Sequence, residues 1–552
     1  MNDPTARRKE KIRARSGDAR REDESLREDE ARRENEDEAL RDDETRREDE
    51  ERASSLDISR EELRELAART VEIVTEYFEE VAELPVFPEV SGEELARRFR
   101  TPPPLDGEPL EQILEDCRAV FEGSRHNGSP RFFGYIASPS TPVGAFANLL
   151  ASALNQNVTA WRSAPAATEI ERTVTRWLGS IIGYADDCGG LLTSGGSMAN
   201  LNALYVSHRT RLRADAPSQR GLQQASAPAT LYVSDQAHLS IAKAADVLGL
   251  GREQVRVVET DESFRMDVRR LRACIAGDLE RGLRPFCVVA SAGTTSTGAV
   301  DALAEIACVA EEHSLWYHID GAYGALAALD ASKRHLFDGL ERADSVSLDP
   351  HKWLYAPVDC GCLLLREPER ARMAFAGHEQ EYIKVYAEQE DEAFAFWDYG
   401  VELSRPFRAL KVWMMLRSYG LRRISAAIAE DNALAAYLAA RVEASEDLEL
   451  LAPVTLGICC FRYVPPHLAR ALETAGGDEE RAQLNAQLDE LNTRIMRAVQ
   501  RGGRAYFSNA TLRGRFALRV SITNFRTTRR DLDITLEAVR DAARKCSEGK
   551  EN

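Results

Sequence analysis

Lysine is scarce in this chain, nine residues among 552 against sixty-three arginines. One of the nine, Lys352, closes an apolar run in "DSVSLDPHKWLYAPVDCG" (Asp344–Gly361), between His351 and Trp353. Arginine would supply charge there equally well. A primary amine does one thing that a guanidinium cannot do at neutral pH: it adds to an aldehyde and forms a Schiff base.

Three other junctions carry groups that suit such an amine. "LLTSGGSMANLNAL" ends a strand in Ser194-Gly195-Gly196-Ser197 and starts a helix at once. Glycines admit a ligand close to the backbone, first-turn N–H groups favour an anion, and Ser197 adds a hydroxyl. The run is neither G-x-G-x-x-G nor a P-loop, and by itself it reads equally well as a tight turn. "YVSDQAHLSIAKAA" puts His238 just past a strand end, where a lone histidine serves equally as a cap. "WYHIDGAYGA" closes an apolar strand on Asp320, a carboxylate that needs compensation if buried. No Lys or Arg lies near it in sequence, which leaves pairing with a distant arginine open.

These groups must be held by strands and helices, and the patterning supplies them. From Ser138 the chain alternates short apolar runs with amphipathic helical stretches, as in "ATLYVSD" before "HLSIAKAADVLG" and "RPFCVVASAG" before "DALAEIACVAEEH". Such alternation means βαβ units and a mainly parallel sheet, in which ligands sit at the carboxyl ends of the strands. All four junctions fall there. An anion cradle, a flat ring, a buried acid and a sparse amine on one sheet edge are what pyridoxal 5'-phosphate requires. Its phosphate takes the helix start, its aldehyde the amine, and its pyridine nitrogen the carboxylate.

The remaining spans divide by composition. Residues 1–54 repeat loose Arg-Glu-Asp-Glu units with almost no large apolar side chains, and read as a disordered tail or at most a solvated helix. Residues 55–137 show helical spacing, 138–408 hold the cofactor-type alternation, and 409–547 suggest a smaller α+β domain with strands in "LGICCFRYV" and "ALRVSITNF". The net charge of −19 argues against non-specific nucleic-acid binding. No apolar run is long enough to span a membrane, and the charged N-terminus lacks a secretory h-region. Ten scattered cysteines without a C-x-x-C pair fit neither a zinc site nor a disulfide framework, so the expectation is a cytoplasmic protein without a metal.

"SDQAHLSI", "HIDGAYGA" and "DPHKWL" resemble the signatures of the group II pyridoxal-phosphate-dependent amino-acid decarboxylases, whose best-known members act on aromatic L-amino acids. "SPRFFGYIASPSTP", "SAGTTSTGAVD" and "RPFRALKVWMMLRSYG" support the resemblance, which runs from about Leu56 to the C-terminus. It implies fold type I, like aspartate aminotransferase. That fold has a mainly parallel seven-stranded sheet, a smaller C-terminal domain and N-terminal helices wrapping the partner of a homodimer. It also implies residue roles. Lys352 carries the cofactor, with His351 beside it near the phosphate. Asp320 meets the pyridinium nitrogen, and Ala322 lies against the ring with His238 stacked on the opposite face. Gly195, Gly196 and Ser197 hold the phosphate, and Ser291 stands near the ring. Asp349 occupies a position where some relatives have asparagine, so a direct phosphate contact there is not expected.

The same resemblance implies decarboxylation, with a tyrosine on a polar loop after the lysine serving the protonation of the substrate carbon. Tyr382 in "GHEQEYIKVYAEQEDEAF" is the candidate and Tyr386 the fallback. Phe132, Phe133 and Tyr135 can line an aromatic slot, with core packing as the alternative. Asn127 stands where animal aromatic decarboxylases carry tryptophan, a departure that bears on catechol or indole preference. Three alternatives stay open: an aldehyde synthase or transaminase, a decarboxylase of aliphatic or basic amino acids, and an inactive scaffold relative.

Overall fold

The computed structural model describes residues 56–212, 227–375 and 390–547. The charged tail lies outside the described residues, and with it the reading of 1–54 as disordered. The described residues divide into two compact units, one of 56–75 with Gly107–Glu115, the other of Glu76–Asp106 with the described residues from Asp116 onward. In the first unit a capping box precedes the helix that begins at Arg60. The Ser59 N–H donates to the Glu62 carboxylate (2.8 Å) and the Glu62 N–H to the Ser59 hydroxyl (3.2 Å).

The second unit holds two sheets. Its strands, in chain order, are β1 (Phe132–Phe133), β2 (Gly189–Thr193), β3 (Ala229–Ser234), β4 (Val255–Val258), β5 (Arg284–Ser291), β6 (Trp316–Asp320), β7 (Ser345–Leu348), β8 (Gly361–Leu365), β9 (Leu448–Leu450), β10 (Ile458–Tyr463), β11 (Tyr506–Leu512) and β12 (Arg515–Ser521). Seven form the large sheet in the order β2-β8-β7-β6-β5-β3-β4. Neighbours are parallel except around β8, which runs antiparallel to both β2 and β7. β6 and β7 are buried along their whole length, which is why "WYHID" and "SVSL" show no polar–apolar alternation. This is the architecture of fold type I.

The topology gathers the chemistry at one edge. β2, β3, β5, β6 and β7 end at or just before Ser194, His238, Ser291, Asp320 and Lys352 respectively. Antiparallel β8 begins at that same edge, with Gly361 paired to Thr193 and Cys362 to Leu348.

The small sheet runs β1-β11-β12-β10-β9. The two expected C-terminal strands are β10 and β12. β1 departs from a purely helical reading of residues 55–137, because Phe132–Phe133 pairs in parallel with Tyr506–Phe507 of β11. Successive strand residues point to opposite faces. Phe132 accordingly packs with Val86 and Tyr506, while Phe133 enters the core formed by Leu438, Phe461 and Phe507.

A fully buried ion pair braces the strand that leads into the glycine turn. Arg405 and Glu171 pair directly, Arg405 also donates to the carbonyls of Val158 and Leu192 (both 2.8 Å), and Glu171 accepts from the Leu192 N–H (2.8 Å). Removing one partner would strand a charge in the core. Arg405→Leu is therefore expected to cost about 3–5 kcal/mol, readable by urea unfolding, with the Arg405→Met/Glu171→Gln double variant recovering part of the loss.

Candidate active site

At the carboxyl edge of the large sheet lies a cavity of about 340 Å³. Gly195, Gly196, Ser197, His238, Ser291, Asp320, Ala322, His351 and Lys352 all line it. Residues 157 positions apart in sequence, Gly195 and Lys352, thus share one wall.

The glycine turn is shaped by close approach. A Cβ on Gly196 would lie 2.8 Å from the Ala322 methyl and 3.1 Å from Asp349 Oδ2, and one on Gly361 would lie 2.5 Å from the Gly195 backbone. Glycine at both positions lets the turn, β8 and the segment after β6 converge. The helix Gly196–Arg211 starts here, with Ser194 and Ser197 open to the cavity. Its free first-turn N–H groups and two hydroxyls make an anion site.

At the opposite end sits Asp320, 9% exposed. Its Oδ2 accepts from the Asn200 amide (2.9 Å), and its Oδ1 from the Ala322 N–H and the Ser347 hydroxyl (both 3.2 Å). The distant arginine left open by the sequence is not there: among the described residues no Lys or Arg pairs with Asp320. A buried carboxylate held only by neutral donors is set to receive a cation from the cavity.

Lys352 lies on the short helix Pro350–Trp353, and its Nζ is 3.0 Å from Asp349 Oδ2. Asp349 is buried, and its Oδ1 has no hydrogen-bond partner. The carboxylate that broke the expected phosphate-side pattern thus engages the lysine amine. Behind Lys352, the Trp353 indole and the Tyr355 hydroxyl both donate to Asp431 Oδ2 (2.8 Å each), and Trp353 stacks on Tyr323 at 4.8 Å between centroids. The lysine turn is anchored from below by one acid.

Burial raises the pKa of Asp431 from 3.8 to about 7, against the pull of its donors. Between those values the unfolded chain loses this proton while the folded chain keeps it, so rising pH costs stability through this group. The stability advantage of the native protein over Asp431→Asn should therefore shrink as pH climbs from about 4 to about 7. Paired thermal melts across that range check it.

His238 and His351 are both held below the ordinary imidazole range, chiefly by burial, with the Lys352 charge acting in the same direction and nearby carboxylates opposing. Both rings are neutral near pH 7. His351 is fixed by its Nδ1, 2.8 Å from the Cys360 carbonyl. Ser291 leaves its side chain in the wall while its N–H donates to buried Asp301 (2.7 Å).

The aromatic slot expected from Phe132 and Phe133 does not line this cavity. Both are core residues, because the two-residue strand buries one ring on each face. Tyr135 is half exposed, with its hydroxyl 3.3 Å from that of Tyr506. Tyr382 and Tyr386 lie outside the described residues. Sequence reasoning missed Asn200, Ser347, Thr295 and Tyr323. Asn200 stands one turn after Gly196 on the same helix, a spacing that places it on the same face, and this was the available signal. Arg519 was also missed. It donates to the carbonyls of Thr295 (2.8 Å), Ser296 (3.2 Å) and Tyr135 (2.7 Å), and no acid pairs with it among the described residues.

The pyridoxal-dependent decarboxylase conserved domain matches residues 93–464. The chain belongs to the pyridoxal-dependent decarboxylase family. Like other members it is a pyridoxal-phosphate-dependent carboxy-lyase acting on amino acids. It is 35% identical to an aromatic-L-amino-acid decarboxylase of Bacillus atrophaeus over 85% of this chain and 93% of the relative. It is 30% identical to a phenylacetaldehyde synthase of a Rosa hybrid cultivar, covering 83% and 89%. Among solved structures, Oryza sativa TDC with PLP and tryptamine superposes with a TM-score of 0.81 at 28% identity, covering 89% of this chain and 100% of that one. Mouse CSAD gives 0.82 at 29%, covering 88% and 99%.

The cavity of this family member fits the cofactor on its own chemistry. It has an anion site at the glycine turn, an amine on the wall and an unpaired buried acid at the far end. No group of metal-ligating side chains accompanies them among the described residues.

Proposed function

We propose that the chain decarboxylates an aromatic L-amino acid to the corresponding amine, with Lys352 carrying the cofactor aldehyde and Asp320 its pyridinium nitrogen. The observation that carries the residue assignment is Asp320: a buried carboxylate without a cationic partner, facing the same cavity as a lysine amine. Held by these residues, the cofactor would supply an electron sink for the bond broken at the substrate carbon.

The chain's own residues orient and protect that event. The turn Gly195-Gly196-Ser197 takes the phosphate, with His351 at its side. Asp349 steadies the Lys352 ammonium before the cofactor arrives. Ala322 and His238 line the cavity where they would flank the cofactor ring on its two faces, with Ser291 toward its edge. Tyr382 is the reading for proton delivery to the substrate carbon, with Tyr386 next to it in sequence as the fallback. Arg519 stands behind Thr295 and adds positive potential to that wall, which suits the carboxylate of an amino acid.

Homodimerisation and a cytoplasmic location belong to the same proposal. Leu149, Leu150 and Leu154 on the helix Pro142–Leu154 are more than half exposed, an apolar stripe that a second copy would cover. No helix of the described residues is long and apolar enough to cross a membrane.

The aromatic preference is supported by the names of the relatives and by no aromatic slot in the described cavity wall beyond Tyr323. An amino-acid panel tests it. Specificity constants for phenylalanine, tyrosine, tryptophan and dihydroxyphenylalanine should exceed those for glutamate, lysine and leucine by roughly a hundredfold or more. A preference for an acidic, basic or aliphatic side chain would remove the aromatic assignment and leave the decarboxylase intact.

A further inference from the structure

Beneath the cavity floor a hydrogen-bond chain joins Asp320 to His238, and its direction can be read from donor and acceptor chemistry. It begins at the Trp316 indole, which can only donate, and does so to Ser345 Oγ (2.8 Å). Ser345 Oγ also lies 2.8 Å from His318 Nδ1, and the direction of that bond is fixed from the far side of the ring, where His318 Nε2 faces the Asn200 carbonyl oxygen, which can only accept. His318 Nε2 then carries the proton and donates to Asn200 Oδ1 (3.0 Å). Full burial keeps His318 neutral, with its pKa lowered to about 4.

The orientation of the Asn200 amide follows from the other side as well. Its Nδ2 lies 2.9 Å from Asp320 Oδ2 and 3.0 Å from Ser240 Oγ. A flipped amide would set its oxygen against the Asp320 carboxylate, with no hydrogen between them. Nδ2 has two hydrogens, and the two acceptors use both. The Ser240 N–H points at His238 Nδ1 (3.3 Å), which makes that nitrogen an acceptor, so the Ser240 hydroxyl 2.8 Å away also gives its hydrogen there. Two donors converge on Nδ1. The hydrogen of neutral His238 must therefore sit on Nε2.

We propose that Asn200 is a positioning residue that serves both ends of the cofactor site at once, holding Asp320 in its ionised orientation and, through Ser240, locking His238 as the Nε2–H tautomer. His238 then presents a donor to the cavity. It acts as an orienting hydrogen-bond donor toward an acceptor atom of the substrate or cofactor, and the protein leaves no base on its Nδ1 side. This deepens the function proposed above and rests on its placement of Asp320 and His238. The tautomer itself depends only on the protein.

The test is nitrogen NMR on protein labelled at its nine histidines, without cofactor and then with it. His238 is assigned by loss of its signals in His238→Gln. The expected result is an unprotonated-type Nδ1 and a protonated-type Nε2 in both forms. Asn200→Ala should convert this pattern to averaged, mixed-tautomer shifts and lower kcat by roughly tenfold to a hundredfold, with KM changed little and the cofactor's visible band retained. Ser240→Ala, a milder change, should loosen the tautomer without touching Asp320. A protonated Nδ1 in the native protein overturns the proposal whether or not any variant folds. So does an Asn200→Ala protein with native histidine shifts and kcat within twofold of native. Because the cofactor-free spectrum needs no catalysis, failure here is distinguishable from failure of the decarboxylase reading.

Discussion

Lys352→Arg is expected to be as inactive as Lys352→Ala, each losing roughly a thousandfold or more in kcat/KM. The arginine variant separates two readings of the position. Both side chains would keep a cation within reach of Asp349, which pairs with the native Nζ at 3.0 Å. Only lysine supplies an amine that can attack an aldehyde at neutral pH. If Lys352 were there to neutralise Asp349, arginine would restore most of the activity. On the present account it restores none, and neither variant shows the visible absorption of lysine-bound cofactor. Both should still fold, because the turn is anchored through Trp353 and Tyr355 to Asp431 and not through the lysine. Thermal melts within a few degrees of native would confirm that the loss is chemical.

Asp320→Asn carries the second large effect. The change is nearly isosteric and removes one charge. The neutral amide cannot hold a proton on a heteroaromatic nitrogen, so the site loses most of its electron-withdrawing power. A fall in kcat of roughly a hundredfold to a thousandfold is expected, in the range for loss of one preorganised electrostatic contact. Cofactor attachment through Lys352 should persist, so the visible band remains while turnover collapses. The amide also turns an N–H₂ toward Asn200, Ala322 N–H or Ser347, all of which donate in the native protein. Some loss of stability, about 1–3 kcal/mol, follows from that mismatch. Activity within twofold of native would mean that Asp320 has another role.

Lys352, Asp320, His238 and the Gly195–Ser197 turn were legible in the sequence because their chemistry admits few residue types. A lysine in a chain that prefers arginine, a carboxylate after an apolar strand and a glycine turn before a helix each leave a local mark. The βαβ rhythm then placed all of them on one sheet edge, where the structure has them. Asn200 was not legible as a functional residue. Its spacing from Gly196 puts it on the cavity side of the helix, but its role depends on His318 and Asp320 of β6 and Ser240 beyond β3 all meeting it, and no local pattern reports such a meeting. Phe132 and Phe133 show the opposite difficulty. Adjacent aromatics in a Gly- and Pro-rich stretch read equally as pocket or core, and pairing with a strand more than 370 residues later decides for core. Asp349 was noticed as a departure, but its lysine partner could be found only once the turn Pro350–Trp353 had its geometry.

The relatives include both an aromatic-L-amino-acid decarboxylase and a phenylacetaldehyde synthase, so the products of one turnover bear most directly on the central claim. Purified holoprotein should be incubated in air with the best amino acid of the panel. Carbon dioxide, amine, aldehyde and hydrogen peroxide should then be measured together. The account predicts carbon dioxide and amine in equal amounts with negligible peroxide. Equal amounts of aldehyde and peroxide with little amine would contradict it.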